Sequence, residues 1–272
     1  MELLGIFNRD ACGGLLKLRN QQRLVRYAKL AGGLRGVFID VGFETVRNNS
    51  SVNIFDYIHY IDRVGRALRT KVYYVVPDSH DLAVHLNNVT VWYDLARTGK
   101  AKVAGDPVVV IHYYWNVTSE KIIGGERGGE FDVKAWYRLM LMRYLDRFGN
   151  VVIGIPVRVL TLSWNNGEPI KIQCKTHPDK CIKYIEKAII ELSNYGFSHF
   201  HLLGINRKEW RWLTSQVRGG SLSGLNVIIS ADTDNYRLAV RNELRRRDYG
   251  KGLYMVQSDS DACVWFNEWV RV

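Results

Sequence analysis

The sequence predicts an α/β fold: a (β/α)8 barrel of the TIM type, formed by one domain over residues 1–272. Strand-like apolar runs alternate with amphipathic helical patterns, which is typical of a mainly parallel sheet. There are enough of these runs to close a barrel, and 272 residues suit a fold that typically takes about 250. Three of the runs end in an aspartate, a pattern typical of a barrel with a functional mouth. The crossover from Val76 to Val89 is short for a helix and predicts some irregularity.

Each predicted strand is a short run rich in β-branched and aromatic residues. In chain order the runs are Leu3–Phe7, Gly36–Phe43, Lys71–Val76, Val89–Tyr93, Pro107–Tyr114, Val151–Leu160, Ser198–Gly204, Leu225–Ser230 and Gly252–Val256. Apolar residues at the 3.6-residue period predict amphipathic helices between several of them. The clearest helical patterns cover Ile54–Leu68, Val133–Phe148 and Ile182–Leu192.

Asp40, Asp78 and Asp232 each stand at the end of a predicted strand. Because the carboxyl ends of parallel strands meet at one edge of a barrel, we expect the three carboxylates to line one site. Carboxylates that share a site have raised and mutually dependent pKa values, which suits proton transfer. The alternative is that each aspartate caps the helix or turn that follows it.

The chain is strongly basic. It has 38 Lys and Arg residues against 27 Asp and Glu residues, which gives a formal net charge of +11. Contact with a polyanion, most often a nucleic acid, explains such a balance. A basic intracellular setting, or a requirement for solubility, explains it equally well.

The apolar runs are too short to span a bilayer, and the N-terminus lacks the basic start of a signal peptide. We therefore expect no membrane partner. The 4 cysteines do not form a disulfide-dense pattern for this length. A reduced, cytoplasmic protein is the expectation, and if the chain is viral it would work in the host cytoplasm.

Four segments resemble those of tRNA-guanine transglycosylases, in the same order along the chain. Phe38–Phe43 is similar to their Asp-Ser-Gly-Gly/Ala-Phe segment, and Tyr74–Asp78 resembles the acidic strand end that follows it. Ser198–Ile205 is similar to their Leu/Met-Gly strand. Ser230–Tyr236 resembles the Ser-Phe-Asp-Ser-Ala-Ser-Tyr segment of the archaeal-type enzymes.

This resemblance implies an enzyme that replaces guanine with a 7-deazaguanine base in a nucleic acid, through a covalent intermediate. Asp232 would be the nucleophile at C1′ of the target nucleotide, as the carboxylate is in retaining glycosidases. Asp40 would serve the proton transfers. Asp78 would contact the purine edge, and Gly204 would let the backbone approach the base.

The chain also departs from that family. Its members carry a zinc site of three cysteines and a histidine after the nucleophile, whereas the only cysteine after Asp232 here is Cys263. The chain is shorter as well, and so resembles the shortened transglycosylase-like proteins of phages and archaeal viruses. The resemblance therefore implies DNA as much as tRNA as the partner. The chain could also form a homodimer.

Basic and aromatic residues near the predicted strand ends are candidates for nucleic-acid contacts. They are the phosphate-binding candidates Arg207, Lys208, Arg211, Arg237, Arg241 and Arg245, and the base-stacking candidate Tyr113. A solvated helix surface explains Arg237, Arg241 and Arg245 equally well. Packing in the core is the alternative for Tyr113.

The spacing of Cys174, His177 and Cys181 suits zinc ligands. No fourth ligand stands nearby in the sequence, so zinc binding is one of two alternatives. The alternative is a set of ordinary loop and helix residues, with no cofactor. Two other functions remain open for the whole chain. One is a catalytically degenerate barrel that binds nucleic acid or a protein partner. The other is a metal-dependent hydrolase that uses the same aspartates.

Overall fold

The computed structural model describes residues 2–8, 14–17, 37–40, 55, 57–59, 61–62, 72–78, 82–99, 105–111, 122–123, 130–131, 133–157, 159–165, 168–173, 178–205 and 207–233. The strands are β1 (Glu2–Asn8), β2 (Gly14–Lys17), β3 (Val37–Asp40), β4 (Val72–Val75), β5 (Asp106–Val110), β6 (Ile122–Ile123), β7 (Glu130–Phe131), β8 (Val152–Pro156), β9 (Val159–Asn165), β10 (Glu168–Gln173), β11 (His199–Leu203) and β12 (Ile228–Thr233). The helices are α1 (Leu82–Arg97), α2 (Val133–Phe148), α3 (Pro178–Asn194) and α4 (Arg207–Gly219).

Eight of the strands form a closed barrel in the order β1-β12-β11-β8-β5-β4-β3-β2. Every neighbouring pair in the barrel is parallel, and β1 closes it by pairing with both β12 and β2. The predicted α/β barrel is therefore confirmed. Two antiparallel hairpins, β6–β7 and β9–β10, are added to this plan. They follow β5 and β8, so both leave the barrel at the carboxyl ends of strands.

The large hydrophobic core lies between the strands and the helices. Alternate strand residues such as Val72, Tyr74, Ile153 and Phe200 pack in it together with the buried side chains of the helices. Two buried tyrosine hydroxyls in this layer bond to backbone carbonyls. Tyr57 donates to the carbonyl of Val75 at 2.8 Å, and Tyr144 donates to that of Val89 at 2.7 Å. These two hydroxyls thereby have the partners that burial requires.

One predicted strand is wrong. Val89–Tyr93 lies inside helix α1, although its residues favour strands. The buried positions over the whole segment are His85, Val89, Trp92 and Ala96, which follow the helical period. Burial of that stripe outweighs the local preference, so the crossover is a full helix and the irregularity expected there is absent. Gly99, with a φ of 73°, follows the helix in the conformation that glycine adopts most readily.

A second, smaller cluster lies inside the barrel. Val75, Val108, Val110 and Val152 are buried there, on the strand faces opposite to those that meet the helices. Tyr73 and Leu203 pack against these valines. The barrel interior is thus filled by side chains on this side, as in other small barrels.

Candidate active site at the carboxyl rim of the barrel

The barrel brings the three predicted aspartates to one rim. β3 ends at Asp40, β12 carries Asp232 as its last residue but one, and Asp78 lies three residues beyond the end of β4. All of these strands are parallel, so each aspartate stands at the carboxyl side of the barrel. Asp78 is buried. Their roles as catalytic or base-binding residues remain predictions.

The rim divides into two arcs. In the polar arc, five consecutive strands lead to polar or charged positions: Asp232 on β12, Asn8 on β1, Lys17 on β2, Asp40 on β3 and Asp78 after β4. In the apolar arc, three consecutive strands end at Val110, Pro156 and Leu203. A reaction that requires charged side chains would therefore take place at the polar arc.

Lys17 is a rim position that the sequence did not reveal. It is the last residue of β2, and its register partner on β3 is Asp40. Strand β2 has only four residues, too few for a pattern to show. The register therefore pairs a basic position with an acidic position at this rim.

Gly204 follows β11 directly and has a φ of 79°. A residue with a side chain rarely adopts this conformation, so the position favours glycine. It lies at the same rim as the aspartates. The prediction that Gly204 lets a ligand approach the backbone is compatible with this position and remains a prediction.

A buried polar group lies inside the barrel on β11 and β12, beside the strands that carry the valines. It consists of His199, His201 and Ser230, and we call it the interior polar group. The Oγ of Ser230 is 2.9 Å from Nδ1 of His201 and 3.2 Å from Nε2 of His199. It also donates a hydrogen bond to the carbonyl of Phe200 at 3.3 Å. The ring of Tyr73 meets that of His199 edge to face, at 5.3 Å between centroids.

Burial governs the protonation of this group. Burial, together with a smaller effect of the neighbouring His199, lowers the pKa of His201 to about 3. His201 is therefore neutral near pH 7. The sequence did not single out these histidines, although the alternation His-Phe-His-Leu at 199–202 is a signal for one polar strand face.

The residues predicted to contact a nucleic acid are only partly placed. Arg207, Lys208 and Arg211 lie in the first turns of α4, which begins shortly after β11 and therefore near the carboxyl rim. Trp212 in the same helix packs against the core. The other candidates, which are Tyr113, Arg237, Arg241 and Arg245, lie outside the described residues.

The predicted zinc ligands do not form a site in the described part of the chain. Cys181 is buried in the first turn of α3 and is disulfide-bonded, so it has no thiolate to offer a metal ion. Cys174 and His177 lie outside the described residues. Within the described ranges, no group of three or more His, Cys, Asp or Glu side chains could hold a metal ion. The expectation of reduced cysteines also fails at Cys181.

Among the helices that the structure describes, none combines the length and the apolar character needed to cross a membrane.

No protein-family profile matches the sequence, and no curated protein matches it either. The chain is similar to several solved structures. A protein from Burkholderia cenocepacia described as a phosphonomutase has 13% identity and a TM-score of 0.44, with 89% of this chain and 90% of that chain covered. A second protein from that organism, described as a lyase/mutase, has 10% identity, coverage of 97% and 90%, and a TM-score of 0.47. An HpcH/HpaI aldolase from Desulfitobacterium hafniense has 13% identity, coverage of 93% and 95%, and a TM-score of 0.39.

The resemblance to tRNA-guanine transglycosylases is therefore wrong, and so is the base-exchange function that it implied. The solved structures similar to this chain are described as a phosphonomutase, a lyase/mutase and an aldolase, and no family profile supports a transglycosylase. The physical reason lies in the motifs. Each was a short apolar strand ending near an aspartate or a glycine, a combination that the parallel barrel itself produces at its rim.

Proposed function

We propose that the chain is an enzyme that carries out acid–base chemistry on a small anionic substrate at the polar arc of its carboxyl rim. One observation carries the proposal. Five consecutive strands of a closed parallel barrel lead to polar or charged positions at the same rim. Barrel enzymes form their active sites at this rim, with functional residues drawn from the ends of different strands.

In this proposal Asp40 and Asp232 transfer protons. One of the two would act as the acid and the other as the base. The register of β2 and β3 puts Lys17 opposite Asp40. Lys17 would bind the negative group of the substrate and keep Asp40 ionised.

An anionic substrate fits the charge of the chain. The formal net charge of +11 attracts anions to the protein from a distance. At the rim, the aspartates would repel an anion unless a cation stood between them. Lys17 is the residue in the polar arc that provides that positive charge.

The proposal is tested by calorimetry of inorganic phosphate binding to the wild type and to single variants. Lys17→Met should weaken binding about tenfold or more, because it removes a charge-assisted contact. Asp40→Asn should strengthen binding, because it removes a repelling charge. The matched control is Asp106→Asn. Asp106 begins β5 at the opposite rim, where its Oδ2 accepts a hydrogen bond from Asn150.

Equal affinities in all the variants, or no phosphate binding by the wild type, would count against the proposal. The titrations are repeated with Mg²⁺ and with Mn²⁺. Binding that appears only with a divalent cation would instead favour a metal-dependent hydrolase that uses the same carboxylates.

A second candidate function rests on the charge alone. A net charge of +11 also suits a barrel that binds DNA or RNA without turnover. Binding of an oligonucleotide that weakens steeply with salt, and that phosphate at the rim does not displace, would favour this function.

A further inference from the structure

We infer that the interior polar group is a positioning element for Asp232. The group consists of His199, His201 and Ser230, and it lies within the barrel beneath the carboxyl rim. The inference rests on the proposed function only in treating Asp232 as a functional residue.

The location of Ser230 supports the inference first. Ser230 and Asp232 are alternate residues of β12, and their register partners on β1 are Leu4 and Ile6. Alternate residues of a strand occupy the same face, about 7 Å apart. Ser230 is therefore the position on that face directly below Asp232.

The composition of the barrel interior supports it second. On the neighbouring strands β4, β5 and β8, Val75, Val108, Val110 and Val152 fill the space with apolar side chains. Branched aliphatic residues are the usual filling of such barrels. Two imidazoles and a hydroxyl in the same layer must all be hydrogen-bonded to avoid a penalty, so stability alone does not favour them.

The hydrogen-bond donors and acceptors of the interior polar group can then be assigned. The hydroxyl of Ser230 has one proton, and three groups lie within hydrogen-bond distance of its oxygen. The carbonyl of Phe200 can only accept, and we assign the hydroxyl proton to this bond. With this assignment both imidazoles donate to Oγ, His201 through Nδ1–H and His199 through Nε2–H. Nε2 of neutral His201 is left as an acceptor.

The side chain of Ser230 is therefore held by three hydrogen bonds, two residues before Asp232 on the same face of β12. Ser230 cannot rotate without breaking at least two of them. Groups that fix the neighbours of a functional residue set its geometry and its proton affinity. The interior polar group therefore acts on Asp232 through β12 and does not need to touch a substrate.

The experiment is an NMR titration of the Asp232 carboxyl in ¹³C-labelled protein without any ligand. Ser230→Ala and His201→Leu should each shift the pKa of Asp232 by about half a unit or more, because both remove the bonds that hold this part of β12. His201→Asn should restore the wild-type pKa, because its amide can donate from the position of Nδ1. Circular dichroism confirms that each variant is folded.

The matched control is His85→Leu. His85 is also a fully buried histidine, but it lies outside the barrel, with its ring 5.8 Å from that of Tyr137. It should lose stability and leave the pKa of Asp232 unchanged. An Asp232 pKa that is the same in all variants would overturn the inference, as would a shift of equal size in His85→Leu.

A second readout is the tautomer of each histidine from ¹⁵N shifts. We expect Nδ1–H for His201 and Nε2–H for His199, and the reverse assignment would also overturn the inference. Neither measurement needs a substrate. Failure of phosphate binding with a shifted Asp232 pKa would therefore reject the proposed function alone.

Discussion

The two sides of the barrel interior solve the same packing problem in different ways. On β4, β5 and β8 the interior is filled by Val75, Val108, Val110 and Val152. On β11 and β12 it is filled by the interior polar group. The valine side needs only the right volume, whereas the polar side needs every donor and acceptor in place. On the polar side, we expect the loss of a hydrogen-bonding group to be harmful. On the valine side, we expect added volume or a buried charge to be harmful.

The largest effect is expected from a charge on the valine side. Val108→Asp would bury a carboxylate among valines without a partner, and should lower the free energy of unfolding by about 4 kcal/mol or leave the chain unfolded. Denaturant unfolding measures this loss. The matched control is Val84→Asp, because Val84 is 46% exposed on α1 and should tolerate the carboxylate. Equal losses in both variants would show that the valine side is not a dry core.

Low pH should destabilise the folded protein through the polar side of the barrel interior. The pKa of His201 falls from an ordinary 6.5 to about 3 on folding, because the ring is buried. Below pH 6.5 the unfolded chain binds this proton and the folded chain does not, so stability falls as the pH falls from 6.5 towards 3. The slope from this residue is about 1.4 kcal/mol per pH unit. Above pH 6.5 it contributes no slope.

Unfolding of the wild type and of His201→Leu, measured from pH 7 to pH 4, checks this expectation. Most carboxylates titrate alike in both proteins, so the loss of the His201 contribution, about 1.4 kcal/mol per pH unit, dominates the difference between the two curves. The variant should have the shallower curve. Parallel curves would mean that the imidazole takes up its proton in the folded barrel.

The closed barrel could be predicted because its signals are local. Alternating patterns gave most of the strands, and each aspartate marked a strand end. Because every strand of the barrel proved to be parallel, the three ends had to share a rim. The segment at Val89–Tyr93 failed because its β-branched residues are a local preference, whereas the stripe of buried residues along α1 is set by tertiary packing.

The arcs of the rim and the interior polar group could not be predicted in the same way. The polar arc depends on the order of strands around the barrel, which pairs Lys17 with Asp40. That pairing is a long-range property of the register. The histidines at 199 and 201 face inward and their apolar neighbours face outward, the reverse of what hydrophobicity alone suggests. The sequence shows that the two faces differ but not which one is interior.

A smaller effect is expected from added volume on the valine side. A Cβ at Gly154 would lie 3.1 Å from Cγ2 of Val110 and 3.3 Å from Cγ1 of Val108. Gly154→Ala should therefore lower the free energy of unfolding by about 1–3 kcal/mol through overpacking. The control is Gly219→Ala, where the new methyl group meets nothing within 4 Å. Thermal unfolding of the two variants should separate them, and a wild-type melting temperature for Gly154→Ala would contradict a tightly filled interior.

The smallest effect is expected at Gly204, which follows β11 at the carboxyl rim. Gly204 and Gly99 both have positive φ, 79° and 73°. Alanine at either position should lower the free energy of unfolding by about 1–2 kcal/mol, because a Cβ is disfavoured in this conformation. Only Gly204 stands at the carboxyl rim, so only Gly204→Ala should also change the affinity for phosphate. If both variants bind phosphate like the wild type, Gly204 serves the turn after β11 alone, and the ligand contacts of the proposed site belong to the polar arc.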